Sequence, residues 1–165
     1  MFKINLGSFE DFQEFSFELK KSEVTLEGLD FDDGLSINLT MTKDGEDSVV
    51  VDGDISGNLN LVCGRCLEPY KQSVDTHFTT IYKEKSSMTP DDEENDVLPY
   101  DHNKIDLTDC IKDTLFLEIP LKLICKPECA GICPVCGKNQ NTDKCKCDKT
   151  IKVEDTFKPF SGLDL

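Results

Sequence analysis

Apolar and polar residues alternate with period two through much of the first half of the chain. FSFEL (Phe15 to Leu19), LSINLTMT (Leu35 to Thr42), VVVDGDISGNLNLVC (Val49 to Cys63) and SVDTHFTTIY (Ser73 to Tyr82) each place apolar side chains on one side of an extended backbone. Such stretches predict half-buried strands. FDDG (Phe31 to Gly34) and KDGED (Lys43 to Asp47) fall between them and carry Asp-Gly turn chemistry, so the strands are expected to form an antiparallel meander or partial barrel. Gly53 and Gly57 are expected to mark bulges within it.

The period changes further along. DLTDCIKDTLFLEIP repeats Leu107, Cys110, Ile111, Thr114 and Leu115 at helical spacing until Pro120, which predicts a helix over about 106–118 capped by Asp106 and covering one sheet face. Cys110 lies on its apolar stripe, as a core thiol would. Between sheet and helix, residues 85–103 hold five acids within Asp91 to Asp96 and few apolar residues, and read as a mobile acidic loop. The expected fold is therefore α+β: an antiparallel β-rich body over 1–120, a cysteine-rich segment over 121–152 packed on it, and a tail over 153–165.

Charge divides the chain the same way. Of its net −15, residues 1–119 contribute 10 basic against 27 acidic side chains, whereas residues 120–152 hold 7 lysines against 3 acids. An acidic body repels phosphate, so contact with RNA is confined to the lysine-bearing end or made through a partner protein. No signal-peptide pattern opens the chain and no run approaches a membrane span, so a cytoplasmic protein without membrane contact is expected. In that compartment nine cysteines favour metal or redox chemistry over structural disulfides.

Setting Cys110 aside leaves four close pairs: Cys63 and Cys66, Cys125 and Cys129, Cys133 and Cys136, Cys145 and Cys147. Eight thiols in pairs suit two closed tetrahedral zinc sites. A two-residue gap lets one tight turn aim both sulfurs at the same ion while its N–H groups bond to the thiolates. In CPVCG, Pro134 stiffens the turn and Gly137 supplies the positive φ that such a knuckle commonly needs; CGRC is the second knuckle, at the end of a predicted strand. The preferred assignment puts Cys133, Cys136, Cys145 and Cys147 in one site and Cys63, Cys66, Cys125 and Cys129 in the other. Spacing alone leaves open a crossed arrangement with the two CxxC knuckles facing each other, and a single occupied site. Structural zinc contributes about 10 to 16 kcal/mol of apparent binding free energy, comparable with the net stability of a whole domain.

Catalysis finds little support. His77 and His102 complete no three-ligand site with an open position, and no phosphate loop, Ser-His-Asp set or HExxH is present. A redox dithiol would need a strand-to-helix setting, whereas CGRC runs into LEPY, whose Pro69 opposes an immediate helix. A thiol or zinc redox sensor remains an alternative, as does a zinc-dependent adaptor with no RNA contact. Arg65, the chain's single arginine, sits inside a knuckle; it either pairs with local carboxylate or thiolate charge or reads phosphate on a partner. Lys138, Asn139, Asn141, Lys144 and Lys146 form a second candidate contact patch.

CGRCLEPY after a strand, a helix running into LEIPLKLIC, and CAGICPVCGKNQN followed by CxC resemble, in that order, the YceD-like family of large ribosomal RNA subunit accumulation proteins, in its cysteine-rich clostridial-type version. The likeness covers nearly the full length. It implies a non-enzymatic role in accumulation or processing of large-subunit ribosomal RNA and in ribosome assembly, with precursor RNA or a large-subunit ribosomal protein as partner and no small-molecule substrate. Relatives without most of these cysteines belong to the same family, so metal is not what its basic role requires. The family's terminal Asp-Pro-Arg-type segment has only a loose counterpart here around Lys158 and Pro159, in a tail that Phe157, Phe160 and Leu163 make apolar.

Overall fold

The computed structural model describes residues 2–7, 9, 11–20, 28–31 and 34–147; the tail expected over 153–165, with Phe157, Lys158, Pro159, Phe160 and Leu163, lies outside them. Its elements are β1 (Lys3–Asn5), β2 (Phe12–Leu19), β3 (Leu35–Asp44), β4 (Ser48–Val62), β5 (Pro69–Glu84), α1 (Pro90–Glu94), β6 (Leu98–Tyr100), β7 (Lys104–Asp106) and α2 (Thr108–Leu117). Strands β2 to β6 form one sheet in sequence order, and β1 pairs with β7 in a second, two-stranded sheet. The first four strands of the larger sheet are antiparallel, and β6 adds parallel to β5.

Alternation sets the core. Leu35, Ile37, Leu39 and Met41 of β3 are buried, as are Val49, Val51, Ile55 and Leu59 of β4 and Val74, Phe78 and Tyr82 of β5. Helix α2 contributes Ile111 and Leu115 to this cluster, next to Leu107 at its start. A one-residue slip would turn each strand's apolar set to water, so burial on one face pins the register. Leu107, and not Asp106, is the N-cap residue and makes no side-chain cap bond; one residue further upstream the Asp106 carboxylate accepts from the Thr108 N–H (3.1 Å) and hydroxyl (2.6 Å). Cys110 is half-buried against the core, and burial pushes its thiol up to about 11.

Two further expectations are corrected. Residues 85–103 are not a shapeless loop: they hold a 3-10 turn at Lys85–Ser87, then α1 and β6. The acids help to build this order. Pro90 opens α1, Asp92 accepts from the Thr89 N–H (2.8 Å) and hydroxyl (2.7 Å), and Lys83 of β5 reaches Asp92 at 3.0 Å. These bonds, Thr89 first, bring the Asp92 carboxyl down to about 2. Nor do the glycines mark bulges, since β4 and β5 pair one-to-one through Gly53↔Phe78 and Gly57↔Val74. At Gly53 a β-carbon would run into the Phe78 ring and come within 2.9 Å of Leu39, so glycine is what lets the ring fold across the sheet.

The long β4–β5 hairpin positions the first pair of cysteines, because its tip is the CGRC knuckle. The ladder ends at Val62↔Pro69, and one further bond, Cys63 N–H to Glu68 O at 2.9 Å, closes the loop. Gly53→Ala should destabilise the body by about 1–3 kcal/mol through overpacking against Phe78; urea denaturation with an unchanged slope would register it as a lower midpoint.

Candidate metal centres

Both CxxC turns are the same piece of local structure. In the first, Leu67 N–H donates to Cys63 O (2.9 Å) and Cys63 N–H to Glu68 O (2.9 Å); in the second, Gly137 N–H donates to Cys133 O (2.9 Å) and Cys133 N–H to Lys138 O (2.8 Å). Thiolate-directed N–H groups match as well. Those of residues two and three positions on, Arg65 and Cys66 or Val135 and Cys136, point at the leading sulfur. The residue after each second cysteine is left-handed, with φ 70° at Gly137 and φ 61° at Leu67. Glycine takes that conformation freely, whereas leucine pays about 1–2 kcal/mol.

Each knuckle meets a second cysteine pair. The sulfurs of Cys63, Cys66, Cys125 and Cys129 lie within 4.8 Å of one another, and so do those of Cys133, Cys136, Cys145 and Cys147. Across the first group, Cys63 and Cys129 sulfurs are 3.9 Å apart and those of Cys66 and Cys125 are 3.7 Å apart. Four sulfurs at about 2.3 Å from a tetrahedral ion stand about 3.8 Å from each other. These donor sets fit such an ion, and two four-cysteine clusters are thus able to hold metal. The CxxC knuckles lie in separate clusters and do not face each other.

Electrostatics separates the thiols within each set. Burial raises Cys63, but N–H groups of Cys125, Cys66 and Arg65 outweigh it and bring the thiol down to about 6. Cys133 also comes down to about 6, through the N–H groups of Cys136 and Val135. Burial and the neighbouring sulfurs push Cys125 up to about 12, while Cys147 reaches about 12 chiefly through Cys136. In the first cluster Cys63 and Cys129 are lowered and Cys66 and Cys125 raised, and in the second Cys133 is lowered and Cys147 raised, the divided pattern expected when like charges share a small space. A divalent cation among them removes that conflict and holds all four as thiolates.

Backbone bonds weld the two clusters into one unit on the hairpin tip. Gly64 N–H donates to Leu123 O (2.8 Å) and Cys125 N–H to the Cys63 sulfur (3.4 Å), docking the later segment on the knuckle. Ile132 N–H donates to Arg65 O (2.9 Å). Beside it Gly131 has φ 71°, and a β-carbon there would stand 3.0 Å from the same carbonyl. Tyr70 and Ile124 pack against Cys63, Cys66 and Cys129 as an apolar wall. The Tyr70 hydroxyl is buried with no hydrogen-bond partner among the described residues.

The residues singled out for partner contact divide into two kinds. Arg65 is exposed while its guanidinium donates to Cys129 O at 3.2 Å, and Lys138, Lys144 and Lys146 are exposed. Asn139 and Asn141 are instead half-buried and engaged in hydrogen bonds within the clasp. Asn141 donates to the Cys129 sulfur (3.5 Å) and accepts from Ala130 N–H (2.9 Å), and Asn139 bonds Asn141 (2.8 Å) and Glu68 (3.2 Å). The sequence offers Asn141 as a contact residue and not as a donor to a cysteine sulfur, and the strain at Leu67 leaves no mark in the cysteine spacing. Superposing CGRCLE on CPVCGK would have flagged Leu67, since it falls where Gly137 does. His77 lies on β5 beside Asp54 (3.0 Å) and His102 beside Asp101 (3.0 Å), both away from the cysteines.

Knuckles of this kind, set on a strand-rich antiparallel body with few helices, define a small α+β domain carrying paired cysteine clusters. The family model described as large ribosomal RNA subunit accumulation protein YceD matches residues 51–164, and the chain belongs to that family. It is similar to an uncharacterized protein of Mycobacterium tuberculosis, 30% identical over 118 residues that cover 70% of this chain and 57% of that protein. A chloroplastic YCED homolog 1 of Zea mays, named a large ribosomal RNA subunit accumulation protein, is 29% identical over 126 residues, 59% of this chain and 43% of the maize protein. The Haemophilus influenzae YceD protein is 32% identical over 89 residues, 52% of this chain and 50% of that one. The chain spans about half the length of the curated relatives it matches. No solved structure matches it significantly. Among the described residues no helix is long and apolar enough to cross a membrane.

Leu67→Gly should relieve the left-handed strain and stabilise the protein by up to about 1 kcal/mol; a lower thermal midpoint than the parent would show that the leucine side chain outweighs its backbone cost.

Proposed function

We propose that the protein is a non-enzymatic cytoplasmic factor that supports accumulation of large-subunit ribosomal RNA, with a zinc ion in each four-cysteine cluster and a cationic face on the clasp that meets RNA. Its family ties it to large-subunit RNA. The observation that carries the RNA-contacting part is the position of Arg65. The chain's single arginine stands exposed on the first knuckle, while Cys129 O holds one of its nitrogens. A guanidinium fixed on one side keeps further donors for phosphate, at less ordering cost than a free side chain.

Zinc in this reading is structural. Each site uses four sulfurs and keeps no open position, so the ion builds a surface and performs no reaction. Lys138 follows the second knuckle and Lys144 and Lys146 flank Cys145, so the same scaffold presents their charges. The acidic body, with 27 acids against 10 basic residues over 1–119, repels phosphate elsewhere and confines RNA to this end. Exposed Leu67, Ile132 and Val135 near the knuckles favour a second reading, an adaptor that binds a large-subunit ribosomal protein without touching RNA.

Two measurements test these statements. Native mass spectrometry should show two zinc ions per chain, falling to one in Cys66→Ser and in Cys136→Ser; a parent chain that purifies with other metals or none overturns the zinc assignment. Binding to a large-subunit RNA fragment should weaken with salt. Joint replacement of Arg65, Lys138, Lys144 and Lys146 by alanine should reduce the logarithmic salt slope by roughly 0.7–0.9 for each lost phosphate contact. Binding that is absent, or insensitive to salt and to these substitutions, assigns the adaptor role instead.

A further inference from the structure

The body has an open seam on the side where β1 and β2 approach each other. In the larger sheet β2 is one of the two edge strands, and in the smaller sheet β1 has one pairing partner, β7. Among the described residues no strand lies between them. The inward side of β2 shows the consequence. Phe17, Phe15 and Gln13 are only half-buried, although Ile37, Leu39 and Met41 directly opposite on β3 are fully buried. Phe2 stacks on Phe17 with ring centroids 5.2 Å apart. What is left is a groove of about 460 Å³ with Phe2, Ile4, Phe15 and Phe17 among its lining residues.

Edge strands with free N–H and C=O groups invite another strand, and proteins that must stay unpaired protect them. Here the outward positions of β2 are Phe12, Glu14, Ser16 and Glu18, all exposed, and the two charged ones are both acidic. A second copy of β2 paired antiparallel about Ser16 would set Glu14 against Glu18, like charge on like charge, which opposes self-pairing in that register. The same carboxylates favour lysine or arginine directly opposite. Lys3, the cation beside the groove, already pairs with Asp106 at 3.7 Å. Added strands take affinity from the backbone and specificity from alternate side chains. The apolar floor therefore asks for apolar residues at every second position, and the glutamates for basic residues between them.

We propose that the β1–β2 seam receives an extended segment of a partner protein, alternating apolar with lysine or arginine residues, as an added strand that closes the body. This surface is separate from the cysteine clasp and does not rest on RNA binding there.

The probe is the peptide acetyl-Lys-Val-Lys-Val-Lys-Val-Lys-amide, titrated into the full chain at physiological salt, with amide chemical shifts locating the contact and isothermal titration calorimetry giving affinity. Shifts should concentrate on β1 and β2. Affinity should fall at least tenfold for a block peptide with the same four lysines and three valines, and for the exposed double variant Glu14→Lys/Glu18→Lys, whose fold circular dichroism checks. Equal binding of the two peptides, or shifts centred on another surface, overturns the proposal. So does a β2 edge that becomes available only after residues 148–165 are deleted or a dimer is dissociated, because the chain's own tail or a second copy would then be the occupant.

Discussion

Four sulfurs packed within 4.8 Å of one another, mostly out of water, cannot all be charged unless a cation stands among them. That constraint explains more of this molecule than any apolar contact does. The sequence brings Cys63 and Cys66 to the tip of a long hairpin and returns Cys125 and Cys129 to the same place about sixty residues later. Without positive charge between them, the buried set must keep protons that its own N–H donors are trying to remove. With it, each N–H and the carboxamide of Asn141 acts in the same direction as the ion.

The clasp is assembled from one local design used twice. Matching bonds in CGRCLE and CPVCGK show that backbone hydrogen bonding, and not the side chains between the cysteines, sets the knuckle. Arg65 and Val135, alike in position, are therefore free to differ in chemistry. Leu67 bears a backbone strain that Gly137 avoids, and its exposed side chain together with Ile132 and Val135 gives the clasp an apolar rim beside its cationic residues. The clasp glycine under close approach is Gly131, against Arg65 O.

Periodicity makes β2 to β5 and α2 legible, because one-sided burial imposes alternation and Leu107, Ile111 and Leu115 have one face to cover, whereas the three-residue strands β1, β6 and β7 are too short to show a period. Paired spacing likewise points to the two cysteine groups, since a two-residue gap is what a knuckle's hydrogen bonds need. Residues 85–103 are opaque in sequence for a physical reason. Their order comes from Thr89, Asp92 and Lys83 bonding across nine positions and from a parallel pairing of β6 with β5, neither of which leaves an apolar period. Gly53 misleads because a glycine in a strand marks either a bulge or a close approach, and only Phe78 opposite decides between them. Asn139 and Asn141 resemble surface residues in sequence because their partners, Glu68 and Cys129, are remote along the chain.

Joining the tip of the sheet to the cysteine-rich segment is the structural role proposed for zinc in the first cluster, and amide hydrogen exchange with and without a zinc chelator measures it directly. Chelation should raise exchange together over residues 63–70 and 123–141, while the amides of β3 and the middle of β4 stay protected. Unchanged exchange in both segments, or a rise in the later one alone, would contradict a clasp that spans them.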